Sequence, residues 1–283
     1  MDRDTQIALG RTFRTRHETP AILVLPNAWD VASAMLLARA GFEAIATTSA
    51  GIGYTAGYPV GEIMPLSEMI EAIERITRRL RLPLSVDMES GYGTAPDEVA
   101  RTVARVIEAG AVGINIEDSI HDGSKRLFDF ALSVERIAAA REAADATGVP
   151  FTVNARTDGY WNSGRGADTP SDIHDDAVAR ADAFGGAGAD CIFIPGILDP
   201  ATIGRLVGAI DRPLNVMGST GAPSVAELDR LGVRRLTVGA VMARAAYGTL
   251  EAAAAELRDA GTFGFAENIA SHAALNAFMS EDA

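Results

Sequence analysis

Cysteine occurs once in these 283 residues, at Cys191, so no intramolecular disulfide can form. A reducing, cytoplasmic setting is the expectation. Histidine is scarce too, with four residues. No Cys/His spacing suits zinc, and no Ser/His/Asp set stands out. There is no uncharged apolar run of 18 residues, so no membrane-spanning helix is expected. Residues 1–6 lack the basic start and apolar core of a signal peptide. Cations are outnumbered, 25 Lys and Arg against 38 Asp and Glu, for a net charge of -13. That excludes a general affinity for nucleic acid or anionic membranes, which need clustered cations. It leaves a small anionic substrate open, because local cations decide that.

What is present is apolar content, 48% of residues, enough for a large core. It falls into short β-rich runs alternating with helical patterns. The runs lie at 21–25, 44–48, 84–88, 112–117, 151–155, 190–194, 213–216 and 235–238. Helical patterns follow at 31–40, 67–80, 96–109, 133–146, 171–187, 200–209, 224–231 and 241–258. The run at 21–25 stops at Pro26, and Asn27 to Asp30 reads as a turn whose Asp30 caps the next helix. Parallel βαβ units produce this pattern, and eight of them favour a closed (β/α)₈ barrel of the TIM type over an open sheet. No linker or low-complexity segment interrupts the chain. The expectation is one α/β domain over 1–283: an N-terminal helix within 1–20, a barrel over 21–258 and a C-terminal helical tail over 259–283.

Barrel chemistry collects at the C-terminal strand ends and the loops beyond them. Those ends carry Asn27 and Asp30, Ser49-Ala50-Gly51, Asp87 and Glu89, Glu117 and Asp118, and Asn154, Arg156 and Asp158. Asp87 and Glu89 are two apart, so in an extended segment they point the same way. With Glu117 they would surround one hard divalent cation, partly through water. Alone, each acid reads equally as a solvated strand end or a salt-bridge partner. Arg156 offers a planar fork for a carboxylate or phosphonate, or a counter-ion to the same acids. Ser49-Ala50-Gly51 offers backbone N–H groups to an oxyanion, or a plain turn. Long loops follow the second, fourth and fifth strands, and the fourth, over 119–131, reads as a flexible lid carrying Lys125 and Arg126. His121 in that loop reads as a mobile residue; His174 and His272 read as surface or packing residues; Cys191 reads as a small buried hydrophobe.

In combination, Asp87-x-Glu89-x-Gly91-Tyr92-Gly93, Gly113-x-Asn-Ile-Glu117-Asp118 and Asn154-Ala-Arg156-Thr-Asp158 resemble the isocitrate lyase/phosphoenolpyruvate mutase superfamily. Pro26-Asn-Ala-Trp-Asp30 and Ser49-Ala-Gly51 fit the same pattern. The resemblance spans about residues 20–250. It implies a (β/α)₈ barrel whose last helix is exchanged between subunits of a dimer or dimer-of-dimers tetramer. It implies Mg²⁺, with Mn²⁺ as the alternative, held by Asp87 directly and by Glu89 and Glu117 through water. A 2-oxo or 2-hydroxy carboxylate would chelate the metal. Ser49 and the backbone at Ala50 and Gly51 would hold the enolate-like oxygen, Asn154 would contact substrate, and Arg156 would bind its anionic end.

Two positions depart from the pattern. Lyases of this superfamily carry a cysteine in the loop after the fourth strand; here that loop, 118–126, has none. The phosphonate branch has a lysine there, and Lys125 lies in that region. Family members commonly have Asp where Val60 stands. The expectation is a Mg²⁺-dependent lyase or hydrolase, with Ser49, Lys125 and Arg156 as its catalytic side chains. It would break a C–C bond of a small oxaloacetate-like acid through an enolpyruvate-type intermediate. The alternatives are C–P chemistry of the phosphoenolpyruvate mutase or phosphonopyruvate hydrolase type, and a non-catalytic barrel that binds a dicarboxylate.

Overall fold

The computed structural model describes residues 1–164, 171–267 and 269–280; the end of the expected loop after the fifth strand and residues 281–283 of the tail lie outside the described residues. Helix α1 (Arg3–Glu18) precedes strands β1 (Leu23–Leu25) and β2 (Asn27–Ala28), then α2 (Val31–Arg39), β3 (Ile45–Thr47), α3 (Ser49–Thr55) and α4 (Leu66–Arg79). Next come β4 (Leu84–Asp87), α5 (Pro96–Glu108), β5 (Gly113–Glu117), α6 (Phe130–Thr147), β6 (Thr152–Arg156), α7 (Gly159–Ser163) and α8 (Ser171–Gly186). The chain ends with β7 (Cys191–Phe193), α9 (Pro200–Ala209), β8 (Leu214–Met217), α10 (Val225–Leu231), β9 (Arg235–Thr237), α11 (Val241–Asp259) and α12 (His272–Ser280).

All strand pairs are parallel, in the order β1-β9-β8-β7-β6-β5-β4-β3-β2. The two ends of that order are one strand interrupted at Pro26, which has no N–H to donate to a ladder. β1 pairs β9 through Leu23↔Arg235 to Leu25↔Thr237, and β2 pairs β3 through Asn27↔Ala46 and Ala28↔Thr47. The break therefore closes the sheet into the expected barrel. Asn27 and Ala28 are strand, not turn, because Asn27 binds both flanks. Its Nδ2 donates to Thr47 O at 2.7 Å, and its Oδ1 accepts from Val238 N and Gly239 N at 2.8 and 2.9 Å.

The helices are held outside by apolar stripes at helical spacing: Met69, Ile70, Ile73 and Ile76 on α4, and Val99, Val103, Val106 and Ile107 on α5, all buried. Inside the barrel lies a polar layer. Arg235, fully buried, donates to Ser85 Oγ at 3.0 Å and Asn115 Oδ1 at 3.2 Å. Beneath it His17 of α1 accepts from Arg235 at 3.4 Å through Nε2, while its Nδ1 donates to Phe13 O at 2.8 Å. Burial and the adjacent cation push the His17 imidazole down to about 3, so it is neutral and plugs the barrel floor as a hydrogen-bond relay.

Two elements differ from the sequence reading, and a third, the tail, is helical as expected. The loop after β3 begins with a short helix, α3, capped by Thr48 Oγ1 accepting from Gly51 N at 3.3 Å. The loop after β5 is folded back on itself: Ile120 N donates to Arg126 O at 2.9 Å and Phe128 N to Asp118 O at 2.7 Å. The tail forms a short 3₁₀ turn, Gly264–Ala266, and then α12, whose Phe278 is buried beneath Arg39, 4.0 Å from the ring centre. Among the described residues no helix is long and apolar enough to cross a membrane.

Candidate active site

A cavity of about 1020 Å³ opens at the C-terminal ends of the strands. Ser49, Ala50, Asp87, Glu89, Glu117, Lys125 and Arg156 all line it, as do Val60, Asp158 and Arg244. Asp87 ends β4. Its N–H donates to Thr47 Oγ1 at 2.9 Å, and its Oδ2 accepts from Ser49 Oγ at 2.9 Å and Ser49 N at 3.1 Å. Ser49 thus positions one oxygen of Asp87. The other, Oδ1, is buried and has no hydrogen-bond partner among the described residues.

Glu89 sits at φ 52°, a left-handed conformation that turns the chain sharply after β4. Its Oε2 accepts from Gly61 N at 2.8 Å and Glu62 N at 2.7 Å. Glu62 returns the grip: its Oε1 accepts from Ser90 Oγ and Tyr92 N, both at 2.8 Å. This reciprocal clamp fixes the loop that presents Val60 to the cavity. Arg136 of α6, fully buried, holds the turn from behind, donating to Gly93 O and Thr94 O at 2.6 Å each and to Ser90 O.

Burial, together with the charges of Asp87 and Glu117, pushes the Glu89 carboxyl up to about 7. Glu117 is raised as well, by burial above all, against the pull of Arg156. Its two oxygens are taken: Oε1 lies 3.0 Å from His121 Nε2 and Oε2 lies 2.7 Å from Arg156 Nη1. His121 also stands 3.8 Å from Glu89. Burial pulls this imidazole down, but the hydrogen bond and charge of Glu117, with Glu89 and Glu62, win and push it up to about 9. His121 is therefore an ion-pair partner inside the site, not a mobile loop residue. Its spacing of four residues from Glu117 was the only sequence signal, and no helix there gave that spacing meaning.

Arg156 is the counter-ion of two acids. Besides Glu117 it grips Asp158 through Nε at 2.6 Å and Nη2 at 3.0 Å. Three of its five N–H groups are engaged, so two remain for a ligand, but its charge is balanced. Behind it, Asp158 accepts from Ser119 Oγ at 2.7 Å and Asp158 N donates to Asp118 Oδ1 at 3.0 Å. Burial and the Asp158 charge push Asp118 up to about 7 despite Arg180 at 3.3 Å.

Two expected substrate contacts are displaced. Gly51 does not line the cavity: its N–H is spent on Thr48, and a side chain there would strike Trp29 Cβ at 2.7 Å. It is a packing glycine of α3. Asn154 lies deeper, fully buried in the barrel, with Nδ2 donating to Asn115 Oδ1 at 2.6 Å. It shares the inward face of β6 with Arg156 but lies two residues further from the mouth. Cys191 is fully buried in β7, where burial pushes its thiol up to about 12. His174 accepts or donates to Tyr160 Oη at 2.8 Å, a packing contact as expected.

Among the described residues, no three His, Cys, Asp or Glu side chains converge closely enough to ligate one ion directly. The donor set nevertheless fits a hard cation at Asp87. A buried carboxylate oxygen without a partner lines the same cavity as carboxyls pushed up by burial and by neighbouring charge, and a divalent ion would relieve both.

Comparison with known proteins agrees with this geometry. A solved structure from Burkholderia cenocepacia J2315 superposes with a TM-score of 0.91 at 39% identity, covering 98% of each chain. The 2-methylisocitrate lyase of Escherichia coli K12 is 32% identical over 212 residues, 72% of this chain and 68% of the relative. A structure of oxaloacetate acetylhydrolase with its product oxalate has a TM-score of 0.84 at 26% identity, covering 95% of this chain and 93% of that one. The family model of phosphoenolpyruvate phosphomutase matches residues 13–258. With a parallel barrel, paired acids at the strand ends and a family match over most of its length, the chain belongs to the phosphoenolpyruvate phosphomutase family, within the isocitrate lyase/phosphoenolpyruvate mutase superfamily.

Proposed function

We propose that this enzyme is a Mg²⁺-dependent lyase or hydrolase that breaks a C–C bond of a small 2-oxo or 2-hydroxy carboxylate through an enolpyruvate-type intermediate. One observation carries the reading: the unpartnered, buried Oδ1 of Asp87 in an acid-lined cavity at the strand ends. Asp87 would hold the cation directly, and Glu89 and Glu117 would hold it through water. Bound there, the metal supplies Lewis-acid polarisation of the substrate's 2-oxo group. The names of the Escherichia coli relative and of oxaloacetate acetylhydrolase place C–C cleavage of small acids in the same superfamily.

The chain's own residues then divide the work. Ser49 fixes Asp87 and, with the backbone at Ala50, lies beside the place where an enolate oxygen would form. Arg156 keeps two N–H groups to orient a carboxylate while its charge balances Glu117 and Asp158. Lys125, on the folded loop after β5, would bring a cation to the cavity wall. Val60 adds an apolar wall where an acid commonly stands in the superfamily.

The same reading extends to assembly. Of the nineteen residues of α11 only Ala243 is buried, and Leu250, Leu257, Phe263 and Ile269 stand exposed. Such an apolar face suits a second subunit, as dimer or tetramer with an exchanged last helix. A reducing cytoplasm suits the lone cysteine.

Turnover tests the activity. Purified protein with Mg²⁺ is offered oxaloacetate, 2-methylisocitrate, 2,3-dimethylmalate and phosphonopyruvate, and products are followed by NMR. Cleavage of one of the first three, abolished by EDTA, supports the proposal. Turnover of phosphonopyruvate alone moves it to C–P chemistry. Binding without turnover of any moves it to a sensor or scaffold.

A further inference from the structure

Among the described residues three arginines are buried: Arg136, Arg180 and Arg235. Arg180 is paired with Asp118 and Asp176. Arg136 lies outside the barrel on α6 and gives its donors to the carbonyls of Ser90, Gly93 and Thr94. Arg235 lies inside the barrel, on β9, and forms no ion pair among the described residues. Its partners are neutral: Ser85 Oγ, Asn115 Oδ1 and the imidazole of His17. Its Nε has no hydrogen-bond partner among the described residues. Burial pulls the guanidinium down to about 10, so it keeps its charge at neutral pH. The Cys191 thiol near it, pushed up to about 12 by burial, offers no thiolate to balance that charge. A buried cation without a counter-ion is costly, and stability alone does not account for it.

Its place in the barrel gives the charge a use. Ser85 precedes Asp87 by two residues on β4, and Asn115 precedes Glu117 by two on β5. With a strand period of two, each of these contacts lies beneath an acid of the cavity, about 7 Å further down its strand. Asn154, two before Arg156 on β6, completes the layer by donating to Asn115 Oδ1. Of the acids, Asp87 is the one whose charge reaches Arg235. Inside a barrel a fixed charge at this range is poorly screened by solvent and salt. We infer that Arg235 is a positioning residue whose buried charge tunes the site from below, weakening its grip on the cation and strengthening its grip on the anionic ligand. This rests on the metal site proposed at Asp87, and it adds the group that keeps the acid cluster from repelling an anion.

A fixed positive charge acts in opposite directions on a cation and an anion, whereas loss of packing weakens both. Isothermal titration calorimetry at pH 8 measures the two affinities, for Mg²⁺ alone and then for oxalate in saturating Mg²⁺, with circular dichroism as the check on folding. Arg235→Gln removes the charge and keeps an N–H donor. It should bind Mg²⁺ about tenfold more tightly and oxalate about tenfold more weakly than wild type, a modest Coulomb effect at this range. Arg235→Met, neutral and of similar length, should behave alike and carries the test if Arg235→Gln does not fold. Arg235→Lys keeps the charge and should return both affinities toward wild type. Any result in which the two affinities of the neutral variants do not move in opposite directions overturns the inference, as does Arg235→Lys shifting like Arg235→Gln, while Mg²⁺ binding to wild type keeps the metal reading. No Mg²⁺ binding to wild type overturns the metal reading, and this inference falls with it.

Discussion

At the scale of single residues, the acids of the site are each held by a second group: Asp87 by Ser49, Glu89 by the amides of Gly61 and Glu62, and Glu117 by His121 and Arg156. Cys191 is outside that set, buried in β7 with its thiol pushed up to about 12, so it has no thiolate to offer at neutral pH. Cys191→Ala should leave kcat/KM within a few-fold of wild type in a steady-state assay. Lys125→Ala should lower it about tenfold or more, because it removes a free cation from the cavity wall. Glu62 is the hinge pin of the Val60 loop. Glu62→Ala leaves Ser90 Oγ and Tyr92 N without their acceptor and should cost on the order of 1–3 kcal/mol in denaturant unfolding. An unchanged midpoint and slope would rule out the clamp. Asp87, Glu89, Glu117 and Arg156 were legible in the sequence because each closes a short apolar run, and a barrel strand ends at its site. His121, Glu62 and Arg244 were not, because each reaches the site across a loop or a helix whose path only the tertiary fold defines. Asn154 and Gly51 stand outside the cavity lining for reasons of depth and local fold: Asn154 lies two residues down its strand from the mouth, paired with Asn115, and the Gly51 N–H caps a short helix that the sequence reading took for a turn.

At the scale of elements, α1 and the C-terminal segment carry the sharpest consequences. α1 plugs the barrel floor through neutral His17, 3.4 Å from Arg235. Its pKa falls from 6.5 when unfolded to about 3 when folded. Between those values the unfolded chain binds the proton and the folded one does not, so stability is full above pH 6.5 and is lost as pH falls below it, levelling near pH 3. The loss is on the order of a few kcal/mol. Thermal midpoints measured from pH 8 to pH 4 should fall more steeply for wild type than for His17→Gln; parallel curves would remove His17 from the account. The α11–α12 segment exposes Leu250, Leu257, Phe263 and Ile269, the apolar face on which the proposed assembly rests. Ending the chain after Gly261 should lower the mass seen by light scattering, and a monomeric full-length protein would contradict the assembly. The boundaries of most elements were readable from periodicity. The split of the first strand at Pro26 was not, because Asn27 and Ala28 owe their strand geometry to β3 and β9 and not to their own preferences.

At the scale of the whole molecule, the alternation of eight apolar runs with eight helical patterns favoured a closed parallel barrel over an open sheet, and closure puts every strand's C-terminal end around one mouth. That is why acids scattered over 70 residues of sequence, from Asp87 to Asp158, meet in one cavity. Substrate identity was not legible, because it depends on cavity walls assembled from α3, the Val60 loop and α11. The central claim is that Asp87 holds a divalent cation that in turn holds a 2-oxo acid. Titration of Mg²⁺ and then oxalate into wild type and Asp87→Ala by calorimetry, with circular dichroism as the check on folding, tests it most directly. Mg²⁺-dependent oxalate binding to wild type, and none to a folded Asp87→Ala, is the expected result. Equal oxalate affinity in both, or oxalate binding to wild type that persists in EDTA, would contradict it.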